Sequence, residues 1–165
     1  MVADSPYNVD KLLLTPLAGF FAGLCGSVVM LGLFILFQSI SGFNITTLLI
    51  SLAKVFLSAR TDEVYLMLSG VITLGLIGGI FGLLYALCQH RIPRRGLIFV
   101  GLFYGLFLWV VGGLLGGLIL GGTLRSLLHT KMFLIGNLVY GLCLSFVAVY
   151  IENLQKETFN PLPID

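Results

Sequence analysis

The sequence GLIFVGLFYGLFLWVVGGLLGGLILGGTL, residues 96–124, decides the fold of this chain, because it is apolar throughout and has no charged side chain. An apolar helix of about 20 residues is long enough to cross the hydrocarbon core of a bilayer. Gly101, Gly105, Gly112 and Gly116 fall near one face of such a helix, at about 100° per residue. Glycine destabilises an ordinary helix interior by about 1 kcal/mol. Several glycines on one face therefore predict close packing against another helix in lipid.

The composition extends this prediction to the whole chain. Of its 165 residues, 58% are hydrophobic and 10% are charged, and the mean hydropathy is +1.09. Soluble domains have about 25% charged residues, so these values are typical of an integral membrane protein. Apolar spans cover residues 12–40, 64–88, 96–124 and 132–151, and each is long enough to cross a bilayer. We predict one all-α domain, an antiparallel bundle of four transmembrane helices.

Each predicted span has a face of small residues that favours close helix packing. The predicted helix-packing residues are Gly19, Gly23 and Gly26 in the first span, Gly75, Gly78, Gly79 and Gly82 in the second, Gly101, Gly105, Gly112 and Gly116 in the third, and Asn137 and Gly141 in the fourth. Gly113, Gly117 and Gly121 form a second groove on the third span. We expect the first groove to be used within the bundle and the second to be available to a partner or a bound lipid.

Two segments outside the spans have patterns of their own. Residues 45–60 combine a polar stripe with a wide apolar surface, which predicts a short amphipathic helix at the membrane interface. Asn44 or Thr46 is the expected N-cap of this helix. The helix is interpreted either as a connector that rests on the membrane or as a docking surface for a partner subunit. Residues 152–165 are polar and contain two prolines, which predicts an extended C-terminal tail.

The spans contain no Asp, Glu, Lys, Arg or His. Coupled transporters normally depend on an ionisable group within the membrane, so this class is disfavoured. Hydrolysis or phosphoryl transfer needs converging acid, base and nucleophilic groups, and we predict no catalytic residue and no enzyme activity. Cys25, Cys88 and Cys143 are dispersed, which argues against a disulfide framework or a metal site. They are interpreted as small buried side chains.

Histidines and arginines lie at the ends of the spans. His90 and His129 are expected on opposite membrane faces, where they cannot jointly ligate a haem. Each is interpreted as an ordinary interfacial residue, with single coordination of a chlorophyll-type magnesium or a lipid phosphate as the alternative. Arg91, Arg94 and Arg95 predict a cytoplasmic loop, and therefore cytoplasmic termini. The same arginines are a candidate site for an anionic lipid headgroup.

Aromatic side chains are frequent in the first and third spans, among them Phe20, Phe21, Phe103 and Trp109. Such side chains usually face lipid, and the alternative is that they line a cavity for a quinone or a pigment tail. We predict no cofactor, and a bound lipid, quinone or pigment remains an open alternative.

The two predicted hairpins resemble each other in sequence. Residues 19–24 are similar to residues 101–106, and residues 77–83 are similar to residues 135–142 if one additional residue is allowed. Duplication of a helical hairpin explains such a pattern, and the two copies would then be parallel.

Three segments of the chain resemble small four-helix bacterial membrane proteins that are grouped only as domains of unknown function. These segments are residues 18–30, 77–85 and 136–141. The resemblance covers most of the chain and implies a four-helix architecture. It implies no activity and no catalytic residues.

The sequence therefore favours a non-catalytic structural or accessory subunit of a larger bacterial membrane complex, of the respiratory or photosynthetic electron-transport type. The expected partners are membrane lipids and other transmembrane subunits, with no nucleic acid, in a bacterial inner or plasma membrane. One alternative is a small homo-oligomeric permease or lipid-handling protein. Another is a membrane assembly factor.

Overall fold

The computed structural model describes residues 9–41, 44–57, 62–89, 96–116 and 130–159, and within these ranges its regular structure is entirely helical. The α-helices are α1 (Val9–Ser41), α2 (Ile45–Ala53), α3 (Glu63–Gln89), α4 (Leu97–Val111) and α5 (Lys131–Phe159). A π-helical turn, Gly112–Gly116, directly follows α4. Stretches long and apolar enough to cross a membrane lie in α1, α3, α5 and α4 with its π-helical extension. The prediction of four apolar helices of transmembrane length is confirmed.

The helix α2 is shorter than the predicted helix over residues 45–60. Asn44 is its N-cap, and the side-chain oxygen accepts a hydrogen bond from the backbone N–H of Thr47 at 3.0 Å. The α-helix ends at Ala53, and residues 54–57 form a turn. In that turn, the N–H groups of residues 55 and 56 donate to carbonyls three residues back, which tightens the chain and interrupts the α-helical pattern.

The helix α5 is longer than predicted. It continues through Phe159, so the prediction of an extended tail is wrong for residues 152–159. These residues contain no glycine or proline that would end a helix. Pro161 and Pro163 restrict the backbone of the residue before each of them and have no effect further back.

The helices pack in a definite order. Helix α1 packs against α3 and α5, α4 packs against α5, and α2 packs against α3. Around the bundle the order is therefore α3, α1, α5 and α4, and among the described residues the backbones of α3 and α4 make few close approaches. The hydrophobic core joins all five helices. It includes Met30, Phe34, Leu48, Tyr85, Leu108, Phe133 and Tyr140.

The cysteines differ from the expectation. Cys25 and Cys88 are exposed and Cys143 is partly buried, so the interpretation as buried side chains is wrong for the first two. The outside of a helix of this composition is itself apolar, and lipid tails accept a small thiol there as readily as a protein core does.

Candidate functional site between the helices

Helices α1 and α3 approach each other through glycines. A Cβ atom added to Gly23 would lie less than 3.0 Å from the carbonyl oxygen of Gly78, and one added to Gly82 would meet Gly19 in the same way. Gly19 also lies against Ala86. Residue numbers rise along α1 as they fall along α3, so the contact follows the length of both helices. The absence of side chains lets the two backbones touch.

Helices α4 and α5 have a contact of the same kind. A Cβ atom on Gly101 would overlap the carbonyl oxygen of Gly141 and the hydroxyl of Ser145. A Cβ atom on Gly105 would overlap the carbonyl oxygen of Asn137. The predicted packing residues Gly101, Gly105, Asn137 and Gly141 thus meet at one interface within the chain.

Other predicted packing glycines meet side chains instead of backbone. Gly26 lies beneath the ring of Tyr140, and Gly79 lies beneath the ring of Phe20; a Cβ atom at either glycine would come within 3.0 Å of the ring. Gly75 is less crowded, since its added Cβ atom would have only an ordinary contact, 3.7 Å from a leucine methyl group.

The predicted glycine face of the third span is interrupted after Gly105. The π-helical turn begins at Gly112, and its wider turns change the direction of the residues that follow relative to an α-helix. A Cβ atom on Gly112 would lie 3.5 Å from the ring of Phe133, an ordinary van der Waals distance. Gly112 therefore lies against a side chain of α5, and among the described residues no backbone of another helix lies within 4 Å of its added Cβ atom. Gly116 belongs to the same π-helical turn.

Several predicted residues cannot be placed in this arrangement. Gly113 is buried, whereas Gly117 and Gly121 lie outside the described residues, so the second groove is not located. The candidate ligands His90 and His129 and the candidate lipid-headgroup residues Arg91, Arg94 and Arg95 also lie outside the described residues.

Two glycines that were not predicted as packing residues make close contacts. A Cβ atom on Gly70 would overlap the backbone of Leu49, so α2 rests directly on α3. A Cβ atom on Gly136 would overlap the ring of Phe34. Nothing in the sequence marked Gly70 as a packing residue, because the residues four positions before and after it are not small. The residue that it contacts lies in α2, outside the four predicted spans.

Hydroxyl side chains bridge α3, α4 and α5. The hydroxyl of Tyr85 lies 2.8 Å from that of Ser145, which donates to the carbonyl of Leu97 at 2.9 Å. The hydroxyl of Tyr104 donates to the carbonyl of Phe81 at 2.6 Å. Sequence reasoning missed these tyrosines. Tyrosine is enriched near the membrane interfaces, so a tyrosine well inside a span, such as Tyr104, was the available sign of a hydrogen bond to another helix.

Further polar side chains also bond to helix backbone. Tyr140 of α5 donates to the carbonyl of Gly78 in α3, and Ser27 donates to the carbonyl of Gly23 at 3.0 Å. Asn137 donates its amide hydrogen to the carbonyl of Phe133 at 2.8 Å. The bond of Tyr140 joins α5 to α3, whereas those of Ser27 and Asn137 lie within their own helices and occupy the donors there. Within the described ranges, no group of His, Cys, Asp and Glu side chains is arranged to hold a metal ion.

Trp109 on α4 is an exception to this pattern. Its indole Nε1 is buried and has no hydrogen-bond partner among the described residues. The ring is packed against the core cluster, so the side chain contributes apolar contact area.

Four apolar helices, with glycine contacts between their backbones, define an integral membrane protein of the helical class. The chain belongs to the DUF6789 family, a family of unknown function whose model matches residues 14–159. The match includes the four stretches that are long and apolar enough to cross a membrane. Comparison with curated proteins and with solved structures finds no match to this chain.

Proposed function

We propose that this protein is a non-catalytic accessory subunit of a larger bacterial membrane complex, of the respiratory or photosynthetic electron-transport type. The proposal rests on the observation that hydroxyl groups inside the bundle donate hydrogen bonds to the backbone of other helices. Tyr104, Tyr140 and Ser145 donate to backbone carbonyls of neighbouring helices, so these hydroxyls serve assembly. A transport or catalytic site needs polar groups directed at a solute or substrate.

In this proposal the four helices cross a bacterial inner or plasma membrane as an antiparallel bundle, with both termini in the cytoplasm. The glycine contacts hold α1 to α3 and α4 to α5. The cluster of Arg91, Arg94 and Arg95 marks the cytoplasmic side and binds an anionic lipid headgroup.

The outer face of α4 is the surface proposed for a partner subunit. Phe99, Phe103 and Phe107 recur at intervals of four residues, and each ring is more than half exposed. The apolar part of α4 has the smallest buried share of the four apolar helices, 28%. Aromatic rings supply a large and rigid contact area for another transmembrane helix. The glycine faces are less suitable, because Gly19, Gly82 and their neighbours are already covered within the chain.

A photo-crosslinking amino acid at position 103, in native membranes, tests this proposal. The matched control is position 21 on α1, where Phe21 is 56% exposed against 70% for Phe103. We expect position 103 to form an adduct with one transmembrane protein, and the same protein to migrate with this chain on native gels after gentle solubilisation. An absorption spectrum of that complex reports any bound quinone or pigment. Migration as a lone protomer or a homo-oligomer contradicts the proposal.

An assembly factor would give a different result in the same experiment. It would form the adduct while the complex is being built and would be missing from the mature complex. Comparison of growing cells with cells in which synthesis has been stopped separates the two functions.

A second candidate is a homo-oligomeric lipid-handling protein or small permease. It is favoured by the contact between α3 and α4, where Tyr104 and other side chains separate two helices whose backbones make few close approaches among the described residues. This candidate predicts that the purified protein alone moves a lipid or a solute in liposomes. Such activity would place it ahead of the accessory subunit.

A further inference from the structure

The two hairpins of the chain, α1 with α3 and α4 with α5, use small residues at matching positions. In each hairpin, two glycines on the first helix face three small or polar residues on the second. The matching positions are Gly19 and Gly101, Gly23 and Gly105, Gly78 and Asn137, Gly82 and Gly141, and Ala86 and Ser145.

The correspondence extends to individual atoms. A Cβ atom on Gly23 would overlap the carbonyl oxygen of Gly78, and one on Gly105 would overlap that of Asn137. The equivalent overlap joins Gly82 to the carbonyl oxygen of Gly19, and Gly141 to that of Gly101. Aligned by these contacts, α3 and α5 match without an insertion, whereas the comparison of residues 77–83 with residues 135–142 in sequence alone required one additional residue. The structure therefore aligns the repeat more closely than the sequence does.

The contacts between the hairpins do not follow this symmetry. Helix α1 packs closely along α5, whereas the equivalent pair, α4 and α3, makes few close backbone approaches among the described residues. When the two hairpins are aligned by their glycine contacts, the positions of the small residues Ala22 and Gly26 on α1 are occupied by Tyr104 and Leu108 on α4. Large side chains keep helix axes apart in lipid, so these replacements explain the wider spacing.

We call the contact between α3 and α4 the α3–α4 seam. It is bridged by the hydrogen bond from Tyr104 to the carbonyl of Phe81 and by the rings of Tyr85 and Tyr104, whose centroids are 5.1 Å apart. The helix α2 rests on Gly70 of α3, and its residue Leu48 belongs to the hydrophobic core cluster that joins all five helices.

We infer that the chain consists of two copies of one helical hairpin, and that the bundle opens toward the surrounding lipid at the α3–α4 seam. Each hairpin moves as a unit, because contacts between glycine backbones leave no room for rearrangement. The close contact between α1 and α5 is the hinge. The hydrogen bond of Tyr104 holds the seam closed, together with the packing of α2 on α3. The bonds that join α3 to α5, from Tyr140 to the carbonyl of Gly78 and between Tyr85 and Ser145, act in the same direction. This inference concerns motion and is independent of the proposed role as an accessory subunit.

Spin-label distance measurements on the full chain in lipid nanodiscs test the inference. One cysteine pair, Leu87→Cys with Phe103→Cys, spans the seam, and the matched pair, Phe146→Cys with Phe21→Cys, occupies the equivalent positions on α5 and α1. All four side chains are exposed, so the labels do not disturb the core. The three native cysteines are replaced by serine. We expect a narrow distance distribution between α1 and α5, and a broader or two-peaked distribution across the seam.

Two substitutions identify what holds the seam closed. Tyr104→Phe removes the hydrogen bond to Phe81, and Gly70→Leu displaces α2 because no side chain fits against Leu49. Each substitution is expected to increase the fraction of molecules with a long distance between the labels at positions 87 and 103. The distance distribution between the labels on α1 and α5 should stay unchanged. If the two distributions are equally wide in the chain with native Tyr104 and Gly70, the inference is wrong, whatever the variants do.

Discussion

Gly23 on α1 and Gly78 on α3 face each other so closely that a Cβ atom on Gly23 would overlap the carbonyl oxygen of Gly78. The same carbonyl accepts the hydroxyl hydrogen of Tyr140 from α5. A glycine contact between two helices thus leaves a backbone oxygen within reach of a third helix. Close packing and interhelical hydrogen bonding depend on the same residue here.

Gly23→Leu is expected to destabilise the fold strongly, because the new side chain overlaps the backbone of α3. Overpacking costs about 1–3 kcal/mol where neighbours can adjust, and backbone adjusts less easily than side chains. The free energy of unfolding in mixed detergent micelles measures the effect. Gly32→Leu on the same helix is the matched control, since a Cβ atom on Gly32 would meet nothing within 4 Å. Equal losses for the two variants would exclude the close contact.

Gly105→Ala and Gly112→Ala are expected to differ, although both glycines lie in the same apolar span. The Cβ atom on Gly105 would overlap the carbonyl oxygen of Asn137, whereas that on Gly112 would make an ordinary contact with Phe133 at 3.5 Å. We expect Gly105→Ala to lower the free energy of unfolding by about 1–3 kcal/mol. Gly112→Ala should change it by less than about 0.5 kcal/mol. A larger loss for Gly112→Ala would contradict the ordinary contact with Phe133 and would indicate that the backbones of the two helices also meet at Gly112.

Tyr140→Phe removes the hydroxyl that donates to Gly78 and leaves the ring over Gly26. Hydrogen bonds between transmembrane helices contribute about 0.6 kcal/mol on average, with a maximum near 1.7 kcal/mol. We expect a loss in that range, measured in the same unfolding titration. Tyr150→Phe is the control, because the side chain of Tyr150 is 64% exposed. A loss at Tyr150 as large as that at Tyr140 would argue against the bond.

Trp109→Phe is expected to be nearly neutral. The indole Nε1 is buried without a partner among the described residues, and such a donor costs about 1–3 kcal/mol. Its removal offsets the loss of apolar contact area. We expect the free energy of unfolding to stay within about 1 kcal/mol of wild type, while Leu108→Ala on the same helix loses about 2–5 kcal/mol. A loss above about 2 kcal/mol for Trp109→Phe would indicate that the indole has a hydrogen-bond partner.

Apolar length was sufficient to predict the four long helices, because the bilayer requires it and few soluble folds tolerate it. Glycine spacing located the residues at which α1 meets α3 and α4 meets α5. The spacing could not predict the π-helical turn that begins at Gly112 and redirects the residues after it, since helices are assumed regular when faces are read from a sequence. It also could not predict Gly70, because the contact requires the position of α2.

Helix α1 packs against α3, which follows it closely in the chain, and against α5, which is the last helix, and this order has a consequence for how the protein is made. Its partner α3 is synthesised soon after it, whereas the contacts of Phe34 with Phe133 and Gly136 form only once α5 has been made. The first hairpin can therefore insert before the second, and the join between α1 and α5 is completed last.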